Sequence, residues 1–551
     1  MSITYGDVWW RVAQAVPDRT AIISGDVELT YGEFDDAAAR FAALLSARGI
    51  DFGSPVAVVA YNRAEYMIAL FATLKMGAIL VPINYRYGGD EIADLLRDSA
   101  AEALIYTASL EPAVADAVAR LDRSIVLVRI DDEPSDDPSD DPGDESSVPP
   151  GLGAVPFDEW RTTPPRPGGP PPAGGELYLF TGGTTGRPKA VVWPVDVLLE
   201  IQLFPIYTSV GLDIPDSIEA MVELARDLGD DAPVVLPLAP FMHGTALFNS
   251  MNGFVLGGTL VILPSSRFDA RAAVRAILDR QVTRLIVAGD SVAIPLLEAA
   301  EQLGVDRLPS VQTAVSSGMR FSDAVKARIH ALGSISIADI VGATEGGPFA
   351  IATSTSADDL PAQMQLMPGA VVLDESDHEI QDSPGQVGLL AYRGTLPRGY
   401  LNDPQRTAAT YRVIRGVRHL IPGDYVRVEP DHHVELLGRG SAVINTGGEK
   451  VYPAEVEEAL LAHPLVTDAV VFGVPDARWG EAVSATVAVR DGTVGEDELI
   501  AHVGRLIAGY KKPKHVVVCD AIERSPSGKV DMARLRDEIL GRTQRPSGRP
   551  S

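Results

Sequence analysis

Thr181-Gly182-Gly183-Thr184-Thr185-Gly186-Arg187-Pro188-Lys189-Ala190, entered from the apolar run 177–180, is the stretch on which the reading of this chain turns. It has the composition of a loop that holds phosphate. Gly182, Gly183 and Gly186 let backbone N–H groups face one anion with no Cβ in the way. Thr181, Thr184 and Thr185 add hydroxyl donors, and Lys189 adds a charge. Arg187 and Pro188 separate Gly186 from Lys189, and no Ser or Thr follows the lysine, so the spacing is not the Walker pattern. A kinase-like or GTPase-like site loses its best support. An ordinary flexible turn uses the same residue types, and the surroundings decide between the two.

Outward from this loop, strand-like and helix-like runs alternate. Thr30 and Glu33 form a capping-box pattern ahead of Phe34, Ala37, Ala38, Phe41, Leu44 and Leu45, which is helical spacing ended by Gly49. An apolar run at 56–60, a helical stretch at 65–75 and a second apolar run at 78–83 follow. The alternation returns at 258–263, 270–280, 284–288 and 291–303. Such alternation predicts parallel sheets covered by helices on both faces. From 361 to 437 the runs shorten and turn residues intervene, which predicts a small β subdomain. The last hundred residues, helical at 455–462 and 496–507 and apolar at 467–474, 484–489 and 516–518, predict a compact α+β unit.

At 551 residues the chain has material for roughly three to four domain-sized units. Its net charge of −28 opposes nucleic acid and anionic membrane surfaces as partners. The apolar runs fall far short of the roughly 20 residues that span a bilayer, and residues 1–16 lack the basic start and apolar core of a secretion signal. The single cysteine, Cys519, fits a reducing, cytoplasmic setting and, directly after 516–518, reads as a packed core thiol. Residues 131–145 carry nine acids among Pro and Ser and are expected to form a disordered loop. The Pro- and Gly-rich stretch 162–175 is expected to be a stiff connector into the glycine loop.

Further positions carry chemistry. Val341-Gly342-Ala343-Thr344-Glu345-Gly346 follows Ile335 to Ile340, so Thr344 and Glu345 are expected at the end of a buried strand, where α/β sheets place ligands. A carboxylate beside a phosphate loop suits Mg²⁺, which takes few protein oxygens plus phosphate and water. Asp424 lies in Pro422-Gly423-Asp424-Tyr425-Val426 and Arg439 between Gly438 and Gly440; a carboxylate can accept from two hydroxyls at once, and a guanidinium can donate to their oxygens. Lys529 lies in the late loop Arg524-Ser-Pro-Ser-Gly-Lys529-Val530.

The glycine loop resembles the phosphate-loop signature of the adenylate-forming superfamily, which includes acyl-CoA synthetases, luciferases and the adenylation domains of peptide synthetases. The resemblance runs from about Asp7 to Leu540 with the motifs in order, and 395–418, 422–426 and 438–457 look most like actinobacterial fatty-acyl and steroid side-chain CoA ligases. It implies two parallel-sheet α/β subdomains with a small β-barrel subdomain over 1–440, a mobile α+β domain over 441–541 and a disordered tail, 542–551. It implies that Gly342 and Thr344 meet ATP phosphates, that Thr184 and Glu345 meet Mg²⁺, that Asp424 and Arg439 hold the ribose, and that Lys529 bridges the acid and the α-phosphate. His243, Gly289, Ser317, Gly318, Arg320 and Val341 fall where relatives form the acyl pocket and adenine shelf. Gly447, Gly448, Glu449 and Lys450 resemble the pantetheine-tunnel segment, and Ser441 with Ala442 the pivot.

The expected activity is therefore ligation of a carboxylic acid to coenzyme A through an acyl-AMP, the acid being fatty, aryl or steroid-like. Lys450, Lys511, Lys512 and Lys514 are expected to attract the phosphates of coenzyme A. The alternatives are an adenylating ligase with another acceptor or acid, such as a carrier protein or nitrite, and a nucleotide-binding relative without catalysis. A homodimer is left open.

Overall fold

The computed structural model describes residues 3–132, 152–166, 168–181, 188–446, 449–476, 479–490, 494–524 and 530–543. The acidic run lies outside them apart from Asp131 and Asp132, as does the tail apart from Arg542 and Thr543. The chain forms two compact units: Met1–Ala362 with Arg393–Leu420, and Gln363–Tyr392 with Ile421–Ser551.

The first unit holds two sheets. In one, strands Thr20–Ser24, Thr259–Ile262, Val234–Pro237, Arg284–Val287, Thr313–Ser317 and Ser336–Ala343 lie side by side and parallel, with antiparallel Val27–Thr30 and Gly346–Ser354 flanking them. In the other, Glu176–Thr181, Ile79–Pro82, Pro55–Val59, Ala103–Thr107 and Val126–Ile130 are parallel neighbours, and Lys189–Pro194 then Gly399–Tyr400 extend the sheet antiparallel. The helix read from its capping box is Tyr31–Ser46; Thr30 Oγ1 accepts from the Glu33 N–H at 3.2 Å, and Glu33 Oε2 accepts from the Thr30 N–H at 2.8 Å.

Helices from both sheets share one aromatic core. The Phe34 ring lies 5.1 Å from Phe71 and 5.2 Å from Phe254, with Trp9 packed 5.4 and 5.0 Å from the same two rings. Phe71 is on the helix that follows strand Pro55–Val59, and Phe254 on the helix that follows strand Val234–Pro237. Burial of these rings, each worth roughly 1.5–3 kcal/mol, fixes one sheet against the other.

The small β subdomain expected over 361–437 is not continuous. Met364–Leu366, His433–Arg439, Asp424–Val428, Val387–Arg393 and Ala370–Leu373 form an antiparallel set in the second unit. Residues 393–420 instead join the first unit, because Gly399–Tyr400 pairs with Val191 and Val192 and the Thr395 hydroxyl donates to Glu200 at 2.7 Å. The remaining sheet of the second unit centres on Gly480–Val489, with Val466–Asp476 antiparallel and His515–Cys519 parallel to it. Helices Pro453–Leu461 and Glu496–Leu506 supply Val456, Leu460, Leu499 and Val503 to its main core, and helix Met532–Thr543 packs Leu535 and Ile539 against Phe472 and Val474. Cys519 is a half-buried free thiol donating weakly to the Val487 carbonyl at 3.6 Å, and burial pushes its pKa up.

Candidate active site

Four adjacent parallel strands of the first sheet deliver the expected pocket residues to one edge. Val234–Pro237 leads to His243, Arg284–Val287 to Gly289, Thr313–Ser317 to Gly318 and Arg320, and Ser336–Ala343 to Thr344 and Glu345. A parallel sheet puts all these carboxyl ends on the same side, where ligands bind. Ser317 Oγ lies 3.8 Å from where a Cβ on Gly342 would stand. Gly289 has φ +55°, and a Cβ there would come within 2.1 Å of the Arg320 carbonyl oxygen, so no larger residue fits. The Asp290 N–H donates to that carbonyl at 2.9 Å, and the Asp290 carboxylate accepts from the Ser322 N–H at 2.9 Å. The two expected pocket loops are thus joined through backbone, and the Arg320 side chain is exposed.

The loop that carries His243 is set by a residue the sequence reading missed. Asn62, just after strand Pro55–Val59, donates to the Ala239 carbonyl at 2.9 Å and accepts from the Phe241 N–H at 2.8 Å. Both hydrogen-bonding functions of its amide are spent tying the end of one sheet to the end of the other. His243 itself precedes helix Gly244–Val255.

Thr344 and Glu345 occupy the turn of a two-residue hairpin, with Ala343 and Gly346 paired across it. Three aromatic side chains hold that turn. The Trp193 indole donates to the Thr344 carbonyl at 2.9 Å, the Tyr411 phenol to the Glu345 carbonyl at 2.8 Å, and the Tyr400 phenol to Glu345 Oε1 at 2.7 Å. Burial, then the Glu345 charge, pushes the Tyr400 phenol up to about 12 and raises Tyr411 as well, so both are proton donors at neutral pH. Tyr400 and Tyr411 entered the sequence reading only as part of the span 395–418, and Trp193 not at all. Their contacts span 55, 66 and 151 residues, and no local pattern marks them.

The glycine loop joins antiparallel strands Glu176–Thr181 and Lys189–Pro194, in which Thr181 and Lys189 are directly paired. Gly182 to Arg187 lie outside the described residues, and Pro188 and Lys189 inside. The Lys189 ammonium lies 3.8 Å from Asp403 Oδ2, so its charge is partly met. Trp193 sits on the strand leaving this loop, which links the loop to the Thr344–Glu345 turn through one rigid strand.

In the second unit, Asp424 and Arg439 are cross-strand partners at the ends of Asp424–Val428 and His433–Arg439, with the Gly440 N–H bonded to the Gly423 carbonyl at 2.7 Å. Ser441 and Ala442 follow in the short helical turn Gly440–Ala442. Glu449 and Lys450 begin strand Glu449–Val451; Gly447, Gly448 and Lys529 lie outside the described residues. Lys511 does not stand free for a phosphate. Its ammonium is 2.7 Å from Glu455 Oε2, while the other oxygen of Glu455 takes Arg427 Nη2 at 3.0 Å and Arg427 also pairs with Glu435. Lys514 lies over the Trp479 ring at 5.1 Å.

Among the described residues no helix is long and apolar enough to cross a membrane. The family model described as AMP-binding enzyme matches residues 9–401, and that described as AMP-binding enzyme C-terminal domain matches 455–529. A medium/long-chain-fatty-acid–CoA/3-oxocholest-4-en-26-oate–CoA ligase of Mycolicibacterium smegmatis is 36% identical over 549 residues, 98% of this chain and 96% of that protein. A 3-oxocholest-4-en-26-oate–CoA ligase of Rhodococcus rhodochrous is 34% identical over 98% of this chain and 96% of its own length, and a feruloyl-CoA synthase of Amycolatopsis 30% over 96% and 97%. The solved structure of Bacillus subtilis o-succinylbenzoate CoA synthetase with its acyl-adenylate shares the fold, with TM-score 0.76 at 22% identity over 96% of this chain and 98% of that one. With these matches along almost its whole length, the chain belongs to the AMP-binding enzyme family.

Proposed function

We propose that the protein is an ATP-dependent acid–CoA ligase whose acid is a medium- or long-chain fatty acid or a steroid side-chain acid. The observation that carries the reading is the Thr344–Glu345 turn: a carboxylate held at the carboxyl edge of a parallel sheet, one strand away from a glycine loop composed to hold phosphate. The acid class is supported by the relatives named for fatty and cholestenoic acids, which are more similar over the same span than the feruloyl-CoA synthase.

In the first half-reaction a carboxylate oxygen bonds to the α-phosphorus of ATP, the bond from that phosphorus to the bridging oxygen breaks, and pyrophosphate leaves. In the second, the coenzyme A sulfur, as thiolate, bonds to the acyl carbon and AMP leaves. The glycine loop and Thr344 orient the phosphates, Asp424 and Arg439 hold the ribose hydroxyls, and Lys529 offsets the negative charge that builds as one anion attacks another. Positioning and charge neutralisation supply most of the rate in such a transfer. The Thr184 hydroxyl and the Glu345 carboxylate are hard oxygen donors of the kind Mg²⁺ takes alongside phosphate and water. When bound, that ion neutralises phosphate charge.

After adenylation, residues 441–541 turn about Ser441 and bring the 447–450 segment to the pantetheine arm. Lys450 and Lys512 remain candidates for the nucleotide end of coenzyme A.

A panel from acetate through fatty acids and aryl acids to steroid acids, assayed for AMP formation with coenzyme A or with holo-carrier protein, tests the reading. Turnover concentrated on fatty and steroid acids with coenzyme A is the expected result. Preference for aryl acids, or for the carrier, would contradict it.

A further inference from the structure

The hydrogen bonds at the Thr344–Glu345 turn are unequal in kind. Two of them, from Trp193 and Tyr411, go to backbone carbonyls and fix where the turn sits. The third goes to the functional side chain itself, where Tyr400 caps Glu345 Oε1 at 2.7 Å. Among the described residues Glu345 Oε2 takes no hydrogen bond. The carboxylate therefore has one oxygen spent and one to offer.

The phenol is built to stay there. Tyr400 is 8% exposed, its N–H donates to Thr407 Oγ1 at 2.9 Å, and strand Gly399–Tyr400 is laddered to Lys189–Pro194. Gly399 has φ +129°, and a Cβ there would meet Thr407 Cγ2 at 2.3 Å, so the approach that seats Tyr400 requires glycine. The Arg406 guanidinium lies over the Tyr400 ring at 4.7 Å, and the Tyr411 ring is 6.2 Å away. Ladder, threonine, guanidinium and neighbouring ring together hold the Tyr400 side chain in place.

We propose that Tyr400 is a positioning and ion-selecting residue: by occupying Oε1 it makes Glu345 a one-oxygen ligand and so favours Mg²⁺ over larger divalent cations such as Ca²⁺. This rests on the reading of Glu345 as the metal-holding carboxylate. Mg²⁺ is small, keeps several waters and takes single oxygens in near-octahedral order, whereas Ca²⁺ takes six to eight oxygens and readily accepts both oxygens of a carboxylate. A phenol that engages one oxygen withholds from the larger ion the second contact that would reward it. Groups that orient a ligating side chain commonly change metal affinity by about 10- to 100-fold when removed.

The test is equilibrium dialysis of ATP against the intact chain, without acid, in titrations of Mg²⁺ and of Ca²⁺, for the native protein and for Tyr400→Phe, Tyr411→Phe and Glu345→Gln. Tyr400→Phe keeps the ring contacts and removes only the hydroxyl. It is expected to move the ratio of Ca²⁺-supported to Mg²⁺-supported ATP affinity about tenfold toward Ca²⁺, and Tyr411→Phe to weaken both ions alike. An unchanged ratio in Tyr400→Phe, with or without equal loss for both ions, overturns the proposal. Failure of the underlying reading shows separately, as native ion dependence in Glu345→Gln.

Discussion

The Thr344–Glu345 turn and the Arg427–Glu455–Lys511 cluster are both held by side chains distant in sequence, yet by opposite means. The turn is fixed by neutral, directional donors, one indole and two phenols, each buried and each aimed at a single oxygen. The cluster is fixed by full charges: Glu455, with its side chain 11% exposed, is shared between Arg427 and Lys511. Neutral donors leave the formal charge of Glu345 available to a ligand, since a phenol orients a carboxylate without neutralising it. The ion cluster cancels its own charge and has none to spare, so it ties Arg427 and Glu435, ahead of the proposed pivot Ser441, to Glu455 and Lys511 beyond it. On the proposed function the first corner meets substrate, and the second holds structure.

The comparison breaks most severely at the charges that meet ATP. Replacing Lys529 with Ala should lower acid-dependent ATP–pyrophosphate exchange by about 10²–10³-fold, the range for removing one placed electrostatic group, while ATP binding by dialysis stays within a few-fold. In the cluster, Glu455→Gln leaves Arg427 and Lys511 without their shared carboxylate. A loss of about 2 kcal/mol, typical for a hydrogen bond to a charged group, should appear as earlier thermal unfolding, and Glu455→Gln should leave exchange near the native rate. At the turn, Trp193→Phe strands the Thr344 carbonyl and should cost about 1–3 kcal/mol. Unlike the cluster variant, it should also slow exchange. Equal effects of Glu455→Gln and Trp193→Phe on exchange would erase the distinction between the two regions.

The smallest effect is a pH dependence. The His502 ring stands 4.9 Å from that of His463, and burial first, then His463 and Arg505, lower its pKa. A proton is thus bound less well in the folded chain than in the unfolded one. Its contribution is fully present above the ordinary imidazole value of about 6.5 and is lost as pH falls through that value toward the lower folded one. The melting temperature should fall between pH 7 and pH 5, and less so in His502→Gln. An identical decline in the variant would remove His502 from the cause.

How much of this was legible in the sequence follows from how local each signal is. The helix Tyr31–Ser46 was readable because its cap is made within four residues, and the strand before Thr344 because its isoleucines, Ile335, Ile337 and Ile340, fall close together, although that strand is only partly buried. The placement of Thr344 and Glu345 at a strand end was likewise correct. The returning strand Gly346–Ser354, which makes that end a two-residue hairpin, went unread. The Asn62 brace and the Trp193 and Tyr411 donors were missed because each acts across more than 60 residues through only one or two hydrogen bonds. Lys511 was misread for the same reason: its carboxylate partner lies 56 residues earlier. Residues 393–420 looked like part of one β subdomain because strand texture does not say which sheet a strand joins.

The central claim is that this chain makes an acyl-adenylate before any thioester. Incubating the native protein with ATP, Mg²⁺ and a fatty or steroid acid, without coenzyme A, and quenching within the first turnover tests it directly. The account predicts bound acyl-AMP in amounts approaching one per chain, released as thioester when coenzyme A is added. Thioester formed without a detectable adenylate, or no ATP consumed with any acid, would contradict it.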